Sequence, residues 1–217
     1  MTTILLIRHG QNNFVGKRLA GRQPGVHLND KGREQAQAVA DFLKEAPVKA
    51  IYSSPLERAV QTAEPLAARC NLPIQIHPGL IEVDFGDWQG KTIKQLQRLK
   101  LWKTVQDRPT EMRFPGGEGF VDAQQRVAAA IEEIAAQYEE KDLVACFSHS
   151  DTIRLAVSHF LSMPLDAFQR VGIDTASVTT LHLHKDRVYM ANVNFLPGWT
   201  WPKPEEEKPR KKKSDRV

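Results

Sequence analysis

The chain has 217 residues, with 41% hydrophobic and 26% charged. That length suits one fairly large domain, and the balance excludes a disordered, collagen-like or disulfide-stapled chain. The net charge of +4 sits mostly at the end: residues 203–217 carry seven Lys/Arg against four Asp/Glu, which leaves 1–202 nearly neutral and argues against nucleic acid as a partner.

Ile4 to Ile7 is a continuous apolar run that stops at Arg8-His9-Gly10, as a buried parallel strand does. A polar, glycine-containing loop follows through Gly25. After Asn29, the spacing of Ala36, Val39, Ala40 and Leu43 predicts a helix that ends before Pro47. Ala50 to Ser53 reads as a second strand. Ser54-Pro55-Leu56-Glu57 has the form of a capping box opening a helix that runs to Cys70. A short strand at Ile74 to His77 precedes a Gly- and Asp-rich loop, Leu80 to Gly90, and Thr92 with Gln95 opens another helix.

Pro115 to Gly119 is rich enough in glycine to predict a mobile surface loop. Phe120 to Tyr138 is a long helix and Leu143 to Phe147 a third buried strand. Ser148 to Asp151 again has the form of a capping box, with Asp151 capping its own helix, which reaches Leu161. Val178 to His184 and Val188 to Asn194 alternate on either side of Lys185-Asp186 and predict a terminal hairpin. Trp199 and Trp201 are expected to pack the chain end onto a domain spanning 1–202. Residues 203–217 form a charged tail expected to be disordered.

No stretch reaches the roughly 18 apolar residues of a membrane span. The first residues also lack the basic start and cleavage site of a secretory signal. Cys70 and Cys146 read as buried, reduced thiols, so the expected setting is cytoplasmic, without a membrane partner. None of the other histidines has metal-ligand spacing. The pair His182 and His184 shares a strand face but lacks a third ligand. A homo-oligomer is left open.

Alternation of strand and helix predicts a mostly parallel sheet with helices on both faces and an antiparallel element near its end. In such sheets, ligands sit beyond the carboxyl ends of the strands. Arg8 and His9 follow the first strand there, Arg58 lies in the first turn after the second, and His149 follows the third. Two guanidiniums and two imidazoles around helix N-termini suit a phosphate better than a carboxylate. A neutral imidazole beside phosphorus is a competent nucleophile, and the arginines would stabilise charge on the transferring oxygens. The alcohol that leaves needs a proton, for which Glu82 is the candidate because burial beside an anion raises a carboxyl pKa.

Leu6-Ile7-Arg8-His9-Gly10, Ser53 to Ala59 around Arg58, Glu82 before Phe85-Gly86-Asp87-Trp88-Gln89-Gly90, and Ser148-His149 together resemble the histidine phosphatase (phosphoglycerate mutase-like) superfamily over roughly residues 3–195. The resemblance implies a three-layer αβα sandwich and a metal- and cofactor-independent enzyme. It also implies His9 as the phosphorylated nucleophile, Arg8, Arg58 and His149 as the phosphate pocket, and Glu82 as proton donor. Gln11 to Val15 departs from the family pattern: Val15 replaces the usual pocket asparagine, so Asn12 or Asn13 is expected to supply the amide. Ser150 stands where glycine is common and is counted with the phosphate-binding residues. Glu118, in a loop like the family's Pro-Gly-Gly-Glu, is expected to contact the rest of the substrate.

Glu82 and His149 are 67 positions apart, a shorter insertion than the cofactor-dependent mutases carry. A shorter lid admits water and favours hydrolysis of a small phosphate ester. The alternatives are a phosphoglycerate-type mutase and a non-catalytic phosphoryl-ligand binding protein.

Overall fold

A computed structural model describes residues 1–184 and 187–198. Six strands form one sheet: β1 (Thr2–Arg8), β2 (Val48–Ser53), β3 (Ile74–Ile76), β4 (Leu143–Ser148), β5 (Val178–His184) and β6 (Arg187–Phe195). Their spatial order is β3-β2-β4-β1-β5-β6. β1 to β4 are mutually parallel, β5 runs antiparallel to β1, and β6 runs antiparallel to β5. The predicted mixed sheet and terminal hairpin are therefore both present.

Alternate residues of the parallel strands face two separate cores. Leu5, Ile7, Ile51, Ala145 and Phe147 pack against α1 (Asp30–Phe42) and α2 (Glu57–Cys70). Ile4, Leu6, Tyr52 and Cys146 face the other way, onto α5 (Phe120–Ala135) and α6 (Ser150–Phe160). This is the αβα sandwich. Cys146 is buried as expected, but Cys70, at the end of α2, is only half-buried.

Between β3 and α5 a layer of short pieces covers the second core: α3 (Ile93–Leu96), α4 (Trp102–Asp107) and three single 3₁₀ turns. Periodicity could not reveal α4, because six residues hold less than two turns. Aromatic contacts bind this layer down. Phe114 meets Phe85, Trp88 and Phe120 edge-on at centroid distances of 4.9, 5.3 and 5.3 Å, and each such pair is worth about 0.5–1.5 kcal/mol beyond its buried area.

The Thr92–Gln95 capping box is formed, whereas both strand-end boxes fail. Ser54 lies outside α2, and no side chain caps that helix. Ser148 donates its hydroxyl to the Leu80 carbonyl at 2.7 Å, and Asp151 pairs with Arg154 at 3.0 Å instead of capping α6. Pro115 to Gly119 also differs from expectation, because it docks on Asp84 to Asp87 rather than moving freely. Asp87 N–H donates to Pro115 O at 2.8 Å and Glu118 N–H to Asp84 O at 3.0 Å. The approach requires glycine: a Cβ on Gly117 would lie 2.2 Å from the Asp84 carbonyl oxygen. The expectations for Trp199, Trp201 and the tail 203–217 lie outside the described residues.

Candidate active site

The parallel strands β1, β2 and β4 end side by side, and their carboxyl ends carry the predicted residues. His9 and His149 follow β1 and β4, with ring centroids 5.3 Å apart. Arg58 reaches the same point from the first turn of α2, and Glu82 from the loop after β3. His9, Arg58, Glu82 and His149 are all buried, and Arg58 is only 1% exposed.

The His9 Nδ1 atom lies 2.7 Å from the Gly10 carbonyl oxygen, which can only accept. The proton therefore sits on Nδ1 and the lone pair on Nε2. Burial, with the charges of Arg58 and Arg8, holds the imidazole well below its usual range and keeps it neutral. His149 is depressed in the same way, by burial first and then by Arg58. Its Nε2 lies 2.7 Å from Ser54 Oγ, while its Nδ1 has no protein partner.

Arg8 donates to Ile173 O at 2.6 Å and Arg58 to Gly21 O at 2.7 Å. Arg8 Nε and the Arg58 Nε and second terminal nitrogen are buried without a partner. Unpaired buried donors of this kind are costly and normally avoided. With His149 Nδ1, they are donors available to an oxyanion. Two helix starts add to them: neither N-cap residue, Leu56 of α2 or His149 of α6, makes a side-chain capping bond, and helix N-termini favour anions. The failed capping boxes thus have a physical consequence, since Ser54 turns to His149 and Ser148 to the Glu82 loop.

The Glu82 carboxyl accepts from Val83 N–H at 3.0 Å and Thr152 Oγ at 3.1 Å. Burial, reinforced by the charge of Asp151, raises its pKa despite those bonds and Arg58. A carboxyl raised in this way is suited to hold a proton.

The remaining expectations divide. Asn12 is buried, and its Oδ1 takes the N–H groups of Phe14 and Val15 at 2.9 and 3.2 Å, while Asn13 is exposed. Ser150 is the first residue of α6 and half-buried. Glu118 is engaged by other protein groups through one carboxylate oxygen. Its Oε1 accepts from Arg22 at 2.9 Å, Arg126 at 2.7 Å and Asp84 N–H at 3.0 Å. Through that oxygen the carboxylate brackets the loops that carry Arg22 and Asp84 to α5.

Sequence reasoning missed the residues that hold this geometry. Arg22 donates from Nε to the Glu82 carbonyl at 2.8 Å and pairs with Glu118, while Arg126 binds the Gly79 and Ile81 carbonyls at 2.8 and 2.9 Å. Thr62 accepts from Gly10 N–H at 2.9 Å and donates to Arg58 O at 2.6 Å, joining the His9 turn to α2. Only Thr152 carried a signal, as a hydroxyl in the first turn after His149. Among the described residues no cluster of His, Cys, Asp or Glu has metal-binding geometry.

The family model for the histidine phosphatase superfamily (branch 1) matches residues 4–195. The chain belongs to that superfamily. It is 27% identical to phosphoserine phosphatase 1 of Hydrogenobacter thermophilus, over 90% of this chain and 93% of that protein. It is 30% identical to a probable phosphoglycerate mutase of Proteus mirabilis, over 92% and 90%. Against a bifunctional protein of Mycobacterium tuberculosis the chain spans about half the relative's length, with 30% identity over 85% of this chain and 51% of that protein. Among solved structures, a mycobacterial glucosyl-3-phosphoglycerate phosphatase complexed with VO3 superposes with a TM-score of 0.81 and 29% identity, over 89% of this chain and 98% of that one.

A prediction follows from the buried Arg58. Arg58→Met should lower kcat/KM for phosphate esters by roughly 10²–10³-fold, the scale of losing one preorganised charge donor. Its thermal midpoint without phosphate should hold or rise, because an apolar chain replaces a buried charge with unpaired donors. Steady-state kinetics beside a thermal melt decides it. A destabilised variant would show that the bond to Gly21 outweighs the desolvation cost.

Proposed function

We propose that this protein is a phosphomonoesterase that hydrolyses small phosphate esters through a phosphohistidine on His9. The observation that carries this reading is the presence together of a neutral imidazole, its free nitrogen fixed by the Nδ1 bond to Gly10, unpaired guanidinium donors and a carboxyl whose pKa burial raises. His9 Nε2 attacks phosphorus while Arg8, Arg58 and His149 hold the equatorial oxygens. The bond from phosphorus to the ester oxygen breaks, and Glu82 gives its proton to that oxygen. The alcohol leaves, and Glu82, now a carboxylate, takes a proton from water as the water oxygen attacks phosphohistidine. The P–N bond breaks and inorganic phosphate departs. Ser150 and Asn12 border the phosphate, through the first turn of α6 and the amide of Asn12.

The choice of hydrolysis over mutase chemistry rests on the short segment between Glu82 and His149 and on the phosphatase names among the relatives. Phosphate release measured beside interconversion of 2- and 3-phosphoglycerate with bisphosphoglycerate present tests it. Release should dominate by at least an order of magnitude. Faster interconversion than release would assign the chain to the mutases, and saturable ester binding without turnover would leave it a binding protein.

A further inference from the structure

A cavity of about 390 Å³ lies between the α3–α4 layer and the start of α6. Its lining mixes five aromatic side chains with aliphatic and polar ones, Trp88 and Trp102 being stacked at a centroid distance of 6.4 Å and Phe114 edge-on to Trp88. Ile93 and Leu19, both half-buried, complete the apolar lining. The polar end is formed by Asp151 and Arg154, paired at 3.0 Å, and the exposed Gln106 and half-buried Gln169 also line the cavity.

That polar end adjoins the reacting groups. Asp151 is next in sequence to Thr152, whose hydroxyl bonds Glu82, and Phe85 on the cavity wall is three residues beyond Glu82. The cavity is lined by none of the five reacting residues themselves, but through Asp151 it lies one residue from the Thr152–Glu82 hydrogen bond. A larger cavity of about 760 Å³, near Tyr138 and His159, lies at the opposite end of β1 from His9 and has no such connection.

Charge in this region disfavours an acidic substrate tail. Arg22 and Arg126 are both held by Glu118, and Arg154 by Asp151. A carboxylated alcohol such as a glycerate would have to displace one of these partners or leave its own charge unpaired, and either is costly. An uncharged ring would instead displace water from an aromatic-walled cavity, which is favourable.

We propose that the cavity receives the alcohol side of the ester, and that preferred substrates are phosphate monoesters of neutral alcohols bearing a flat aromatic group. The Asp151 carboxylate faces the edge of that group and accepts from an N–H or O–H there. This rests on the phosphatase reading and specifies its substrate class.

The test uses the full chain and pairs of esters with equally poor leaving groups, 2-phenylethyl phosphate against ethyl phosphate, with 3-phosphoglycerate as the acidic comparison. Burying a phenyl group predicts a kcat/KM advantage of roughly tenfold to a hundredfold over ethyl phosphate. Filling the cavity by Ile93→Trp, or its mouth by Gln106→Trp, should reduce that ratio towards one. The ratio is read within each variant, so a general loss of activity does not mimic the effect. Equal rates for the phenylethyl and ethyl esters, preference for 3-phosphoglycerate, or a ratio unmoved by both substitutions would overturn the assignment. Non-hydrolysable 2-phenylethylphosphonate and ethylphosphonate, compared as ligands by calorimetry, separate the two layers of the argument. Absence of all turnover with tighter phenylethyl binding would refute the phosphatase reading and keep the cavity assignment.

Discussion

His9→Ala is expected to reduce turnover of every phosphate ester by roughly 10⁴-fold or more, the scale seen when an enzyme loses its nucleophile. The imidazole is buried, its Nδ1 proton is tied to the Gly10 carbonyl, and Nε2 is the only nitrogen left to attack. No neighbour can substitute. His149, the other buried imidazole, is bound through Nε2 to Ser54. The direct measurement is quenched-flow trapping of ³²P on the protein from a labelled ester. Label stable to base and lost in acid should appear in the native chain and be absent from His9→Ala, whereas undiminished labelling in the variant would exclude His9 as the acceptor. The fold should survive, because removing a neutral side chain leaves no buried charge unpaired.

Glu82→Gln is expected to lower kcat for alkyl phosphates by about 10²–10⁴-fold, the usual worth of a positioned general acid. The substitution keeps the shape and the Val83 and Thr152 contacts but cannot release a proton. Leaving-group dependence separates this role from a structural one. With p-nitrophenyl phosphate, whose phenolate departs unaided, the first step should suffer little. Water attack on phosphohistidine then loses its base, so a burst of nitrophenol should precede slow turnover.

The pH profile gives an independent sign. Turnover needs His9 neutral and Glu82 protonated. Burial holds His9 below its ordinary 6.5 and Glu82 above its ordinary 4.5. kcat/KM should fall on the acid side as His9 gains a proton and on the alkaline side as Glu82 loses one. Glu82→Gln should abolish the alkaline limb and leave the acid limb in place. An alkaline limb that persists in the variant would mean that another group supplies the proton.

The strand-end logic explains why the chemistry was legible in one dimension. A buried parallel strand reads as an unbroken apolar run, so its end is visible as the first polar residue, and Arg8, His9 and His149 occupy those positions. Arg58 needed only the helix start that follows β2. Glu82 was harder, since it lies in a loop without periodicity, and only the chemical need for a proton donor together with the motif after it singled it out. Asp151 misled because its spacing suited a cap, but Arg154, one turn further along the same helix, had the stronger claim on its carboxylate, and the bonds of Glu118 to Arg22 and Arg126 were not legible in its motif.

Hydrophobic period and strand-end chemistry therefore determined, from sequence alone, the αβα class, the order of its principal elements and the five residues expected to carry the reaction. Tertiary structure decided what depends on distance between separated segments. It set which nitrogen of His9 is free, how far Glu82 is desolvated, and that Ser54 and Ser148 serve the site instead of their helices. It also brought Trp88, Trp102 and Phe114 around one cavity beside Asp151. Periodicity records which face of an element is buried, but pKa shifts, tautomers and cavities arise from neighbours contributed by other elements, and those exist only after the chain has closed on itself.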